Sequence, residues 1–170
     1  TLSQPHWLES FKKSLITLKP KPSTVAGITG DILLEKETDL GLLVIGSSQK
    51  NTYNTNIAFL IDLAGDDIYK NNAGGTFDDT FISSLIDFSG NDIYSSHKPF
   101  SQGASQLGYG LLIDSDGNDH YQADTLSQGS TICGVAYLID EHGNDIYNSL
   151  NYSQGFALYG QGTLLAVSYT

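Results

Sequence analysis

A ten-residue block recurs four times in this chain with little drift: Leu-Ile-Asp, two variable residues, Gly-(Asn/Asp)-Asp, one further residue and Tyr. The copies begin at Leu60, Leu85, Leu112 and Leu138, so they follow one another at steps of 25, 27 and 26 residues. Self-similarity at such a period marks a repeat architecture, in which each unit buries its apolar face against the next. A β-propeller blade needs four strands and a period of about 40 residues. The shorter period here fits one coil of a stacked array. The expected fold is therefore all-β, a right-handed parallel β-solenoid with coils of about 26 residues.

A second motif subdivides the coil. Ser101-Gln102-Gly103, Ser127-Gln128-Gly129 and Ser153-Gln154-Gly155 each follow an apolar residue, and the next Leu-Ile-Asp block starts nine residues after the glycine. Gly74-Gly75-Thr76 takes the corresponding place in the first interval. Three short strands per coil are expected: the run ending in Leu-Ile-Asp, the Ile-Tyr pair, and the Ser-Gln-Gly run. Degenerate coils are expected at Val44, where the acids are missing, and at Leu164, where Ala166 replaces the motif acid.

Ahead of the repeats, residues 4–18 have helical periodicity. Ser3 suits the cap, Pro5 the first turn, and Trp7, Leu8, Phe11, Leu15 and Leu18 form one apolar face. Lys19-Pro20-Lys21-Pro22-Ser23 breaks that pattern. Two units follow: a helix and linker over residues 1–23, with the helix expected to cover the open end of the array, and a solenoid over residues 24–170. The chain begins at Thr1 with no signal-peptide pattern, and reads as a mature form or a piece.

Each block places two acids at fixed offsets: Asp62 with Asp67, Asp87 with Asp92, Asp114 with Asp119, and Asp140 with Asp145. Stacked coils bring these acids into rows at the strand spacing of about 4.8 Å. Two like charges at that distance repel by about 3–4 kcal/mol at an effective dielectric of 20. One resolution is structural, with each carboxylate accepting hydrogen bonds from the amides of its corner. The other is a row of calcium ions held by carboxylates and corner carbonyls of successive coils, since calcium takes hard oxygen ligands. All eight Asp residues are candidate calcium ligands.

Residues 59–170 carry 14 acids against Lys70 and Lys98 alone, and the chain has no Arg. Phosphate neutralisation depends on Lys and Arg, so nucleic-acid binding is excluded. No apolar run reaches the ~20 residues of a membrane-spanning helix. Cys133 is the single cysteine, which rules out an internal disulfide framework. Its apolar neighbours predict a buried thiol.

The corners Gly90-Asn91-Asp92-Ile93-Tyr94, Gly117-Asn118-Asp119-His120-Tyr121 and Gly143-Asn144-Asp145-Ile146-Tyr147, and with them Gly65-Asp66-Asp67-Ile68-Tyr69, are similar to the Gly- and Asp-rich nonapeptides of RTX calcium β-rolls. The period is longer here and the double glycine is absent. Over residues 24–170 the unit looks more like the tandem LIDxxGNDxY/SQG repeats of large exported bacterial proteins. These resemblances imply calcium at the corners, an extracellular or cell-envelope location, and a structural or adhesive role.

Gln102, Gln128 and Gln154 are expected to form an amide ladder between coils, and Tyr69, Tyr94, Tyr121 and Tyr147 an aromatic stack. An exposed Tyr row beside acids would alternatively suit carbohydrate, and a polysaccharide-binding or polysaccharide-cleaving β-helix is the competing reading. No catalytic or cofactor-binding constellation stands apart from the repeat. Sites would show among its exceptions: Asp78-Asp79, His120, Asp124 and Glu141. The incomplete last coil predicts an open edge covered by a continuing chain, a partner protein or self-association.

Overall fold

Each block starts one strand ending in Asp, turns at its glycine, and starts a second strand at its Tyr. The computed structural model describes residues 6–167 and contains one helix, α1 (His6–Ile16), and fourteen strands. These are β1 (Lys21–Pro22), β2 (Ile28–Thr29), β3 (Asp31–Thr38), β4 (Gly41–Gly46), β5 (Thr52–Tyr53), β6 (Phe59–Asp62) and β7 (Ile68–Tyr69). They continue with β8 (Ile82–Asp87), β9 (Ile93–Ser96), β10 (Ser105–Asp114), β11 (His120–Ala123), β12 (Thr131–Asp140), β13 (Ile146–Asn148) and β14 (Ala157–Ala166). The strands form two sheets, ordered β1-β3-β4-β6-β8-β10-β12-β14 and β13-β11-β9-β7-β5-β2.

From β4 onward every pairing along the first sheet is parallel and in register with the repeat. Leu60, Leu85, Leu112, Leu138 and Leu164 are successive partners, as are Asp62, Asp87, Asp114, Asp140 and Ala166. The second sheet aligns Tyr53, Tyr69, Tyr94, Tyr121 and Tyr147. The fold is a parallel β-solenoid, and the degenerate coils at Val44 and Leu164 take their expected places. Inside it, the Leu and Tyr columns form one apolar core. Burying one such leucine contributes about 1.5–3 kcal/mol, so the same gain recurs in every coil.

The Ser-Gln-Gly run is a corner and not a third strand. Phe100, Leu126 and Tyr152 have φ of 59°, 53° and 49°, and Gln102, Gln128 and Gln154 have φ of 54°, 53° and 55°. Left-handed backbone at non-glycine residues is costly and interrupts a ladder. Two strands per coil remain.

The start of the array also differs from the sequence reading. β3 pairs antiparallel with β4, and β1, from the presumed linker, pairs antiparallel with β3. That hairpin closes the N-terminal end, and its outermost strand ends in Pro22, which cannot donate to a further strand. The helix lies on the flank instead, with Leu15 packed against Leu33 and Ile45 and Lys12 Nζ 4.1 Å from the centre of the Phe88 ring. Ser3 and Pro5 lie outside the described residues, as do the Trp7 and Leu8 side chains. Cys133 is exposed, because its β12 position faces outward.

Candidate metal centre

The two acids of each block occupy different environments. The first ends its strand on an inward-facing position: Asp62, Asp87, Asp114 and Asp140 are all fully buried. Each leucine stands two residues before its Asp, so the alternation that buries Leu85 or Leu112 buries the acid as well. The second acid follows the corner glycine and turns back under the preceding coil. Asp67, Asp92 and Asp119 are buried, and Asp145 is half-buried in the last complete coil.

Both sets have donors. Tyr53 Oη donates to Asp62 and Tyr69 Oη to Asp87, in each case across to the next coil. Tyr94 Oη donates to Asp114 at 2.6 Å in the same way. The pattern changes at the end, where Ala166 offers no carboxylate. Tyr147 Oη turns to Asp140 of its own coil at 2.5 Å. Tyr121 Oη lies beside the Asp114 and Asp140 carboxylates and meets hydrogen-bond geometry with neither.

The second acids form a backbone ladder. One oxygen of Asp67 accepts from Asn51 N at 2.5 Å, Asp92 from Asp67 N at 2.6 Å, Asp119 from Asp92 N at 2.7 Å, and Asp145 from Asp119 N at 2.9 Å. The expected amide bonds to the acids are therefore present, but for these four they run to the previous coil. Asp62 and Asp87 also accept from Ala64 N and Ser89 N two residues on, at 3.3 and 3.0 Å. On the outer side of the corner Asn91, Asn118 and Asn144 build a parallel ladder starting at Asp66.

These donors do not saturate the carboxylates. Asp67 Oδ2, Asp92 Oδ2, Asp114 Oδ1, Asp119 Oδ2 and Asp140 Oδ1 are buried with no hydrogen-bond partner. Three groups bring one carboxylate oxygen from each member within 4.8 Å of one another: Asp62, Asp67 and Asp87; Asp92, Asp114 and Asp119; and Asp119, Asp140 and Asp145. Each group draws on two successive coils and could hold a metal ion. The middle group stands out, because all three of its members carry a partnerless oxygen.

Burial raises the pKa values of the row. Desolvation pushes Asp67 and Asp140 up to about 6, Asp114 to about 7, Asp92 to about 8 and Asp119 to about 9. Asp62 and Asp87 are raised well above the usual carboxylate range by desolvation and by neighbouring acids, Asp67 and Asp92 respectively. A row this dry must hold cations or protons.

No protein-family model, curated protein or solved structure matches the chain. The chemistry of the row rests on its geometry and electrostatics.

The Tyr hydroxyls were missed as part of the site. A Tyr donates to the acid of the following coil, so the seven-residue offset within a block does not reveal the pair. The stack itself is as expected, with ring centroids 4.6–5.2 Å apart. The exposed sugar platform is overturned: Tyr69, Tyr94 and Tyr121 are fully buried and Tyr147 is half-buried. The Gln ladder is corrected too. Gln102 and Gln128 each donate to a carbonyl of their own coil and one of the next, Tyr94 with Gln122 and Tyr121 with Asn148, and not to one another.

Proposed function

We propose that this chain is a structural or adhesive β-solenoid module of an exported bacterial protein, stabilised by calcium bound within its carboxylate row. The observation that supports this is the buried group of Asp92, Asp114 and Asp119, which brings three carboxylates within 4.8 Å of one another and in which each member has an oxygen without a hydrogen bond. A divalent ion there would satisfy three buried acceptors at once and remove the like-charge repulsion between coils. The groups at Asp62, Asp67 and Asp87 and at Asp119, Asp140 and Asp145 would extend the row. Extracellular calcium modules bind at about 0.1–1 mM, a range that suits a location outside the cell.

Such a module needs a continuation. Strand β14 runs ten residues without charge or proline and has a neighbour on one side only. A further segment of chain, a partner protein or a second copy would pair with it.

The test is thermal unfolding with calcium and with chelator, repeated on Asp92→Asn combined with Asp119→Asn. Calcium that binds the native chain raises its melting temperature by mass action. Calcium at 100 times its dissociation constant adds about 2.7 kcal/mol, and the double variant should lose that increment. An increase no larger than an ionic-strength control gives would overturn the calcium assignment and leave protons in the row.

A further inference from the structure

The repeat departs from itself in one stretch, and the departure makes a cleft. From the block Tyr to the corner glycine there are nine residues in the second coil (Tyr94 to Gly103) and eight in the third and fourth, but five in the first (Tyr69 to Gly74). From that glycine to the next block there are nine residues in the later coils and eleven in the first (Gly74 to Leu85). The equivalence of these glycines is structural, because Gly74, Gly103, Gly129 and Gly155 share φ of 73°, 71°, 71° and 81°. The first coil is thus cut back on one side and bulges on the other. The bulge is a turn at Phe77–Thr80, closed by Thr80 N to Phe77 O at 2.7 Å, with Asp78 at φ 43°.

Between that turn and the longer arm of the second coil lies an open cleft of about 250 Å³. Phe77, Phe81 and Phe100 line it together with Asp78, Lys98 and Gln106. Phe81 stays 54 % exposed there. The side chains of Asp78, Lys98 and Gln106 make no hydrogen bond or ion pair among the described residues. Aromatic side chains beside uncommitted polar groups, in a cleft that Asn56, Thr76 and Thr80 also line, are a composition that suits a small polar ligand. The repeat's own polar residues, in contrast, are consumed between coils.

The chemistry of the rim selects the ligand. Asp78 and Lys98 offset one another, which disfavours an anion or a cation. The backbone is already paired, with Thr76 N bound to Ala104 O and Tyr109 N to Phe81 O, so an added peptide strand finds no edge. A sugar ring presents an apolar face to an aromatic side chain and hydroxyls to carboxylates and amides. The volume lies below the ~300–1,000 Å³ of sites that enclose a whole small molecule, and suits one ring of a chain. We propose that this cleft binds one ring of a neutral saccharide, stacked on Phe81 with its hydroxyls bonded to Asp78 and Gln106.

The test is titration with cello-, malto- and chito-oligosaccharides, followed by amide chemical shifts and calorimetry. At least one should bind with a dissociation constant on the order of 1 mM, as expected for a single small ring. Its shift changes should map to residues 77–81 and 98–107. Phe81→Ala and Asp78→Ala should each weaken binding by about tenfold or more at an unchanged melting temperature, because both side chains are exposed. Tyr159→Ala, on the exposed face of β14, should bind as the parent does. No binding by any of the three, binding unaffected by Phe81→Ala and Asp78→Ala, or binding of oligogalacturonate alone would each overturn the proposal.

Discussion

Tyr94 donates its hydroxyl to Asp114 in the next coil at 2.6 Å, with both residues fully buried. That bond ties the core's aromatic column to its carboxylate row, as the Tyr53–Asp62 and Tyr69–Asp87 bonds do in the coils before it. Removing the donor strands a buried acceptor, which costs about 1–3 kcal/mol. Tyr94→Phe, which keeps the ring in its stack, should therefore lower stability by that amount in urea unfolding. Tyr121→Phe is the comparison, since its hydroxyl lies beside the Asp114 and Asp140 carboxylates without a well-formed bond to either, and should cost less than Tyr94→Phe. Equal losses for the two would refute the Tyr94–Asp114 assignment.

The raised pKa values fix a pH dependence for the metal-free chain. Unfolded Asp titrates near 3.9, whereas Asp67 and Asp140 are raised to about 6, Asp114 to about 7, Asp92 to about 8 and Asp119 to about 9. The folded chain thus holds more protons than the unfolded chain between about pH 4 and 9, and stability falls as pH rises through that window. In chelator the melting temperature should therefore fall steadily between pH 5 and pH 9. Excess calcium should abolish or reverse the fall, because it binds the deprotonated carboxylates. A flat profile in chelator would mean that the row ionises as ordinary surface acids do.

Most of the solenoid was legible because its period is a packing unit. The spacing of Leu60, Leu85, Leu112 and Leu138 sets the register directly, and the acids inherit it. The Ser-Gln-Gly run misled because an apolar residue beside Ser and Gln resembles a short strand. Nothing in residue type announces positive φ at Leu126 and Gln128, which is imposed by the turn between sheets. The end caps were also hidden. Whether Lys21–Pro22 pairs with β3 depends on contacts outside the repeat, and the pattern that defines the repeat is silent about them. For the site, alternation buries the first acid, but its Tyr donor sits one coil away, where within-block spacing cannot reach.

Close coil-to-coil approach at the acidic corner makes a sharper demand on Gly117. Its backbone is not left-handed, but a Cβ there would overlap the carbonyl oxygen of Gly90 in the coil below. Gly117→Ala should cost about 3 kcal/mol or more, because the obstacle is backbone and cannot swing aside. Asn118→Ala beside it breaks an exposed ladder in which Asn118 Nδ2 donates to Asn91 Oδ1 and the Asn144 backbone and side-chain amides donate to Asn118 Oδ1, at 3.1–3.3 Å, and should cost about 1 kcal/mol. Chemical denaturation of the pair would show whether steric fit or the ladder governs the corner.

The Gln128 corner separates backbone strain from hydrogen bonding. Its φ of 53° is unfavourable for any side chain but glycine's, yet the amide nitrogen reaches Tyr121 O at 3.3 Å and Asn148 O at 3.1 Å. Ala73 stands in the equivalent place of the first coil with φ of 41°, so a short side chain is compatible with the turn. There Asn72, one residue earlier, supplies the bonds to Ile57 O and Gly75 O. Gln128→Ala should therefore keep the corner and cost about 1–3 kcal/mol, chiefly for the buried Tyr121 carbonyl left without that donor, the Asn148 bond being only part-buried. Gln128→Glu is nearly isosteric but sets an acceptor against two acceptors. Above the usual carboxylate range of pH it should cost more than alanine does, and below about pH 4 the gap should narrow as the carboxyl becomes a donor. Urea midpoints for both variants at pH 7 and pH 4 decide the matter. If glutamate proved as stable as the parent at pH 7, the amide bonds would not be what holds this corner in its strained backbone.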